Sequence, residues 1–240
     1  MPAVQTEVLV SAAASLTDVL EQIGRAFSRA EKGQARVRFN FAASGVLKQQ
    51  ILAGAPVDVF ASASPKEMDE LQAAKRIQAA TRTDFARNRL VLIVPRASAL
   101  PIRDWKDLSR PEVKRIAIAN PGAVPAGRYG QETLIKRGQW ARLQSKLVFG
   151  ENVRQTLSYV AGRNVDAGIV FATDARSETN LVRIVATAIP GKDHTPIVYP
   201  AAVVSGAPNG GAARRFLRFL QGRESQAILA HFGFSPMSGS

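Results

Sequence analysis

Apolar residues near the start of the chain form a short run at positions 8–10, which breaks into small residues from Ser11 to Ser15. From position 16 to position 30, apolar residues recur every three or four positions, which is the spacing of a helix with one buried face. This pattern predicts a strand, a tight turn and a helix whose start is marked by Ser15 or Thr17.

The same order of strand, small-residue turn and helix recurs twice. The second turn carries Ser44 and the third begins with Ser62. The predicted strands are 37–41 and 57–61, and the helices that follow them are 46–52 and 66–74. Three such repeats imply a parallel sheet with right-handed crossovers, in which ligands bind beyond the carboxyl ends of the strands. We therefore expect Ser15 and Ser44 to face one another at that edge.

A second α/β unit is predicted from position 90 onward, where a continuous apolar run is typical of a fully buried strand. The predicted strands are 90–94, 116–119, 146–149 and 167–171, with helices at 129–136 and 153–161, an extended run at 197–204 and one long helical region at 212–232. The chain thus leaves the first unit near residue 88 and returns near residue 199. We expect two lobes, residues 1–87 with 200–240 and residues 88–199, joined by two crossing strands, with a ligand in the cleft between them.

Composition narrows the class of protein. With 240 residues, of which 46% are hydrophobic, the chain is long enough to build a globular core, and no apolar stretch is long enough to cross a bilayer. The absence of cysteine excludes disulfides and thiolate metal sites. Residues 1–7 lack the basic and apolar regions of a signal peptide, so we expect either a cytosolic protein or one whose leader has been replaced by an initiator methionine.

The formal net charge of +13, from 32 Lys and Arg against 19 Asp and Glu, suits an anionic partner such as nucleic acid, a membrane surface or a small anion. The basic residues are spread along the chain, with one modest cluster at Arg214, Arg215, Arg218 and Arg223. The chain has no basic run interleaved with aromatic residues, which is the pattern that indicates base stacking. We interpret most of this charge as solvated faces, and its excess as at most a long-range field that attracts anions.

The turn at 11–15 has the features of an anion site. Small side chains let a ligand approach the backbone, and a helix that begins there directs unpaired N–H groups and a positive dipole end at it. The alternative is an ordinary strand-to-helix turn with a serine N-cap. A tetrahedral dianion offers only acceptors, so its ideal site is a cup of hydroxyl and N–H donors without a carboxylate.

Several rival functions are weighed against this one. An enzyme is disfavoured because the chain has no Gly-x-Ser-x-Gly elbow, phosphate loop or His-Glu-x-x-His motif. We interpret His194 and His231 as incidental, whereas Asp58 and Asp174 near strand ends are either catalytic carboxylates or caps. Ser62 is either a third donor or a cap. The sensing domain of a transcription regulator would be expected to follow a helix-turn-helix segment, and the residues before the first predicted strand are too few to form one. The only argument for a nucleic-acid-binding protein is the net charge.

Seven short motifs occur along nearly the whole chain in the order and spacing of one known family. They are Ala12-Ala-Ala-Ser-Leu-Thr-Asp18, Ala43-Ser44-Gly45, Gly54-Ala-Pro-Val-Asp-Val-Phe60, Val124-Pro-Ala-Gly127, Glu151-Asn-Val-Arg154, Gly168-Ile-Val-Phe171 and Tyr199-Pro-Ala-Ala-Val203. In this they resemble the periplasmic molybdate-binding proteins of ABC transporters. The resemblance implies an α/β type II periplasmic binding protein fold of two lobes, each a sheet flanked by helices.

The resemblance also implies a site and a role. The oxyanion would be bound by the hydroxyl and N–H of Ser15 and Ser44 and by the backbone N–H groups of Ala126 and Val153. The family commonly has a donor tyrosine where this chain has Phe171, which carries no donor. No side chain would bind the metal directly, because molybdenum would be bound as its oxyanion.

As a whole, the resemblance implies a non-catalytic, monomeric periplasmic receptor for molybdate or tungstate. It would need no cofactor and no nucleic acid, and it would deliver its ligand to an inner-membrane permease. The alternative is a receptor for another tetrahedral oxyanion such as sulfate or phosphate.

Overall fold

The computed structural model describes residues 5–237. In chain order the strands and helices are β1 Thr6–Ala13, α1 Thr17–Ala30, β2 Ala35–Ala42, α2 Ser44–Leu52, β3 Val59–Ala61, α3 Pro65–Ala73, β4 Thr83–Asn88, β5 Leu90–Pro95, β6 Ile116–Ala119, α4 Pro125–Lys136, α5 Trp140–Leu143, β7 Leu147–Gly150, α6 Val153–Ala161, β8 Ala167–Phe171, α7 Ala172–Ser177, β9 Val182–Thr187, β10 Ile197–Val203, α8 Gly210–Gln221 and α9 Arg223–His231. They form two compact units. One takes in the chain up to Arg87 and from Val198 onward, and the other spans residues 88–197.

The first unit is built on a five-stranded sheet with the strand order β2-β1-β3-β10-β4. Strand β1 pairs in parallel with both β2 and β3, as the three repeats of strand, turn and helix predict. Strand β10 pairs with β3 in the antiparallel direction. In the register of β1 and β2, Ala13 lies opposite Ala42, so both strands end at the same level.

Helices cover this sheet through their apolar faces. Helix α1 buries Leu20, Ile23 and Phe27 completely or nearly so, in agreement with the predicted spacing. Phe27 packs edge to face against Phe216 of α8, with ring centroids 5.3 Å apart. A second cluster, with Phe60 of β3 fully buried in it, packs under α2 and α3. These contacts fix the helices whose first turns follow β1, β2 and β3.

The second unit repeats the arrangement with the strand order β7-β6-β8-β5-β9. Strand β6 pairs in parallel with β7 and β8, whereas β5 runs antiparallel to β8 and β9. All six residues of β5 are buried, as its continuous apolar run predicts. The carboxyl ends of β6, β7 and β8 therefore share one edge, from which α4, α6 and α7 begin.

Two sequence expectations need correction, and two strands were not expected. The long helical region at 212–232 is two helices, because Gly222 takes an extended conformation (ψ 160°) between α8 and α9. Helix α4 begins at Pro125 rather than at Tyr129, since proline suits the first helical position. The edge strands β4 and β9 were not predicted, because each mixes exposed polar residues with buried ones.

Within residues 5–237, no helix combines the length and the apolar character that a bilayer-spanning segment requires.

Candidate functional site

Ser15 lies in a single 3₁₀ turn, Ala14–Leu16, between β1 and α1. The Ser15 side chain caps neither this 3₁₀ turn nor α1. The hydroxyl of Thr17 donates to the carbonyl of Ala14 instead of capping α1. Helix α1 begins at Thr17, one of the two residues predicted to mark its start, whereas the alternative of a serine N-cap at this turn is wrong. Ser15 is only 3% exposed, and its Oγ forms a hydrogen bond of 3.0 Å with the hydroxyl of Tyr199 in β10.

Ser44 is the first residue of α2 and is completely buried. Its Oγ accepts a hydrogen bond of 3.1 Å from the backbone N–H of Ala63, in the turn after β3. Because Ala13 and Ala42 are paired, Ser15 and Ser44 each lie two residues beyond the carboxyl ends of adjacent parallel strands. The first N–H groups of α2 have no acceptor within the helix, which leaves donors at this edge of the sheet.

The third turn of the first unit supplies a cap rather than an evident donor. Ser62 Oγ accepts a hydrogen bond of 3.2 Å from the N–H of Ser64, and Ser64 Oγ accepts one of 3.1 Å from the N–H of Lys66. Ser64 is thus the N-cap of α3, with Pro65 at its first position. Of the two alternatives for Ser62, the structure shows the turn-stabilising one.

In the second unit, Ala126 is the second residue of α4 and is completely buried. Its N–H has no acceptor within the helix by the geometry of a first turn. The next residue explains why the turn is so close to the sheet: a Cβ on Gly127 would lie 2.1 Å from the carbonyl oxygen of Ala119, at the end of β6. Only glycine permits this approach without displacing backbone.

Val153 opens α6, three residues after β7 ends at Gly150. Asn152 caps the helix, since its side-chain oxygen accepts a hydrogen bond of 3.0 Å from the N–H of Gln155. The N–H of Val153 is therefore a first-turn donor that needs an acceptor from outside the helix. Ala126 and Val153 follow neighbouring parallel strands, so the second unit carries its own set of backbone donors at one sheet edge.

Phe171 is the last residue of β8 and is 1% exposed. Its ring lies near that of Tyr129 in α4, with ring centroids 6.3 Å apart. The residue thus belongs to the same sheet edge of the second unit as Ala126 and Val153, as β6 and β8 are parallel neighbours. Its side chain can pack but cannot donate a hydrogen bond.

The loop at 188–196 contacts α4 at Tyr129 and Glu132, and it contacts Arg137 directly after the helix. The ring of buried His194 packs against Tyr129, Glu132 accepts hydrogen bonds of 3.1 Å from the N–H of Thr195, and Arg137 pairs with Asp193 at 2.7 Å. Burial raises the pKa of Asp193, but hydrogen bonds from Arg137 and from a backbone N–H outweigh it, so this pKa lies below its ordinary value. These contacts hold the helix that presents Ala126.

The two aspartates that sequence reasoning left open as catalytic carboxylates have structural partners. Asp58 accepts hydrogen bonds from the backbone N–H groups of Leu9 and Asn209, at 2.9 and 2.7 Å. Asp174 forms an ion pair of 2.8 Å with Arg154. The other histidine, His231, lies exposed at the end of α9. In the part of the chain that the structure describes, no three His, Cys, Asp or Glu side chains are grouped to hold a metal ion.

Sequence reasoning missed two groups that touch the candidate serines, Tyr199 and the N–H of Ala63. Tyr199 belongs to one of the seven motifs, but the motif by itself assigns it no role. The Ala63 N–H leaves no trace in residue type, because any residue except proline carries it.

Comparison with known proteins identifies a matching family and several related binding proteins. The sequence model of the family described as bacterial extracellular solute-binding protein matches residues 8–235. Molybdate-binding protein ModA of Escherichia coli K12 is 37% identical over 235 residues, which cover 95% of this chain and 89% of that protein. The solved periplasmic molybdate-binding protein of Azotobacter vinelandii has a TM-score of 0.85 at 24% identity, covering 96% of this chain and 100% of that one. The sulfate-binding protein SubI of Mycobacterium tuberculosis H37Rv has a TM-score of 0.84 at 20% identity, covering 98% and 88%.

The chain belongs to the bacterial extracellular solute-binding protein family. The resemblance to molybdate-binding proteins of ABC transporters and the type II periplasmic binding protein fold are both confirmed. At their identities the two solved structures support the fold alone. The family consists of substrate-binding receptors rather than enzymes, so the chain is a solute-binding protein related to ModA.

Proposed function

We propose that this protein binds molybdate, and also tungstate, as a tetrahedral oxyanion. The observation that carries the proposal is the pair of buried serines, Ser15 and Ser44, at equivalent positions beyond two parallel strands. Each presents a hydroxyl at the start of a helical segment, where first-turn N–H groups add partial positive charge. Relatives named for molybdate binding make this oxyanion the first candidate.

The backbone donors of Ala126 and Val153 complete the proposed donor set, and together with the two serines they bind one anion. All of these donors are neutral, so a dianion is bound by hydrogen bonds and helix dipoles without a buried counter-charge. The lobe boundaries that go with this binding mode are residues 1–87 with 200–240 for one lobe and 88–199 for the other. The ligand lies in the cleft between the lobes.

A second candidate is a receptor for sulfate or phosphate, and Phe171 favours it. A hydrogen bond to a charged group contributes about 1.5–3 kcal/mol, so one missing donor corresponds to a loss of roughly ten- to hundredfold in affinity for molybdate. The sulfate-binding relative shares the fold, which is compatible with either ligand. We rank molybdate first because relatives named for molybdate binding are 34% and 37% identical to this chain, whereas the sulfate-binding protein is 20% identical.

The proposed role is uptake. The protein acts in the periplasm as a monomer, without a cofactor or nucleic acid, and passes its anion to an ABC permease in the inner membrane. The test is the molybdenum content of source bacteria grown in submicromolar molybdate. Deletion of the gene lowers it, and complementation by the wild type restores it while a Ser15→Ala/Ser44→Ala double variant does not. Unchanged molybdenum in the deletion strain contradicts the uptake role.

A further inference from the structure

Each of the two candidate serines has its hydroxyl oxygen in contact with a group of the protein that can donate. Ser44 Oγ lies 3.1 Å from the backbone N of Ala63, and Ser15 Oγ lies 3.0 Å from Tyr199 Oη. A hydroxyl has one hydrogen to donate and two lone pairs with which to accept. An N–H can only donate, so Ser44 is the acceptor in its pair and keeps its own hydrogen for another partner.

The direction of the bond between Ser15 and Tyr199 is not set by geometry, because either hydroxyl can donate. An anion sets it. A ligand that offers only acceptors takes the Ser15 hydrogen, and the tyrosine must then be the donor to Ser15 Oγ. A phenolic hydroxyl can donate in that direction. Its donation also polarises the serine and strengthens the bond from the serine to the anion.

We propose that Tyr199 is a positioning residue: it holds Ser15 Oγ and, when an acceptor-only anion is bound, donates to that oxygen while the Ser15 hydrogen is directed at the anion. This inference rests on the proposed oxyanion function and adds to it a residue that orients one of its donors. With Tyr199 donating to Ser15 and Ala63 donating to Ser44, both serines direct their hydrogens to the ligand.

The surroundings hold Tyr199 Oη in place. Tyr199 is fully buried, and its ring packs edge to face against Phe85 and Phe234, with ring centroids 6.3 and 5.5 Å away. Its strand, β10, is paired with β3 so that Ala201 lies opposite Ala61. The pairing continues through a hydrogen bond of 2.9 Å from the Ser62 N–H to the Pro200 carbonyl.

In that register Tyr199 lies across from Ala63. Facing positions on one strand pair therefore supply the donors to both serines, one through a side chain and one through the backbone.

The test compares Tyr199→Phe with the wild type by calorimetric titration of molybdate. We expect about a tenfold weaker affinity, with the melting temperature measured in parallel to exclude unfolding. Tyr159→Phe is the matched control, since it removes a hydroxyl from a half-buried tyrosine of α6. In the Ser15→Ala background, Tyr199→Phe should cause no further loss, because its effect passes through the serine. Equal losses in both backgrounds overturn the proposal.

A purely structural role of Tyr199 would lower the molybdate affinity in both backgrounds, so the comparison with Ser15→Ala separates a structural role from a positioning role. A wild type that binds no oxyanion overturns the proposed function itself.

Discussion

Arg154 and Asp174 form an ion pair next to one of the proposed anion contacts: Arg154 Nε lies 2.8 Å from Asp174 Oδ1, and Asp174 is completely buried. The pair joins the first turn of α6 to the first turn of α7. It also offsets the guanidinium charge next to Val153 within the protein. The donor proposed at Val153 therefore lies next to a cation that is paired within the protein.

Removal of the Asp174 charge should destabilise the protein. Breaking one partner of a buried ion pair costs about 3–5 kcal/mol, and we expect the lower end because the Arg154 side chain is 26% exposed. The measurement is the free energy of unfolding of Asp174→Asn by urea denaturation. Asp84→Asn makes the same chemical change at an exposed position and should leave stability within about 0.5 kcal/mol. Equal stability of the two variants would show that the pair contributes little.

A methyl group at Gly127 should disturb the second donor set. The added Cβ would lie 2.1 Å from the carbonyl oxygen of Ala119, so the first turn of α4 must shift and take the Ala126 N–H with it. We expect Gly127→Ala to lose about 1–3 kcal/mol of stability and at least tenfold in molybdate affinity, measured by thermal unfolding and calorimetry. Gly211→Ala is the control, because no described residue has an atom within 4 Å of its added Cβ. Wild-type affinity in Gly127→Ala would remove Ala126 from the site.

The serine hydroxyls should each contribute to anion binding. Ser15→Ala and Ser44→Ala remove one donor to a charged ligand, which corresponds to roughly ten- to hundredfold in affinity. Ser11→Ala is a matched control on β1, since Ser11 is fully buried and its Oγ has no hydrogen-bond partner among residues 5–237. All three variants should remain folded by circular dichroism. Unchanged affinity in both Ser15→Ala and Ser44→Ala would remove the proposed site.

Restoring a hydroxyl at position 171 should preserve or tighten binding. Phe171 lies at the sheet edge of the second unit, and a tyrosine there adds one hydrogen-bond donor. We expect the molybdate affinity of Phe171→Tyr to be unchanged or up to about a hundredfold higher. Phe149→Tyr adds the same atom at an exposed position of β7 and should have no effect. Complete loss of binding would mean that the ring packs where no hydroxyl fits.

The acid stability of the second unit should depend on Asp107. Hydrogen bonds from the N–H of Arg103 and from Arg110 lower the pKa of this carboxyl below its ordinary value of 3.8, although burial opposes them. A lowered pKa means that the carboxylate stabilises the folded state above about pH 4 and that this contribution is lost as the pH falls further. Asp107→Asn should therefore be about 1–3 kcal/mol less stable than the wild type at pH 7.

The difference between Asp107→Asn and the wild type should narrow at pH 3. Urea denaturation of both proteins at pH 7, 5 and 3 measures it. A difference that is the same at all three pH values would contradict the assignment of the effect to the Asp107 charge.

The periodicity of apolar residues predicts much of the fold, because the buried face of a helix or strand recurs at a fixed spacing along the sequence. The helix α1 and the strand β5 follow directly from their apolar spacing, and the parallel order of β1, β2 and β3 follows from three repeats. Strands β4 and β9 escaped prediction because an edge strand is solvated on one side and mixes polar with apolar residues.

The candidate site was only partly accessible from sequence. Ser15 and Ser44 were found because small residues and a hydroxyl followed two strands. The hydrogen bond between Ser15 and Tyr199 joins residues 184 positions apart, and no local pattern predicts such a contact. The close approach of Gly127 to Ala119 likewise depends on how α4 packs on its sheet.

The most direct measurement is calorimetric titration of the purified wild-type protein with molybdate, tungstate, sulfate and phosphate at equal ionic strength and pH 7. The account predicts tight one-to-one binding of molybdate and tungstate, with sulfate and phosphate much weaker. Tighter binding of sulfate or phosphate would contradict the ligand assignment and indicate that Phe171 accompanies a change of ligand. Absence of binding by all four anions would contradict the donor site itself.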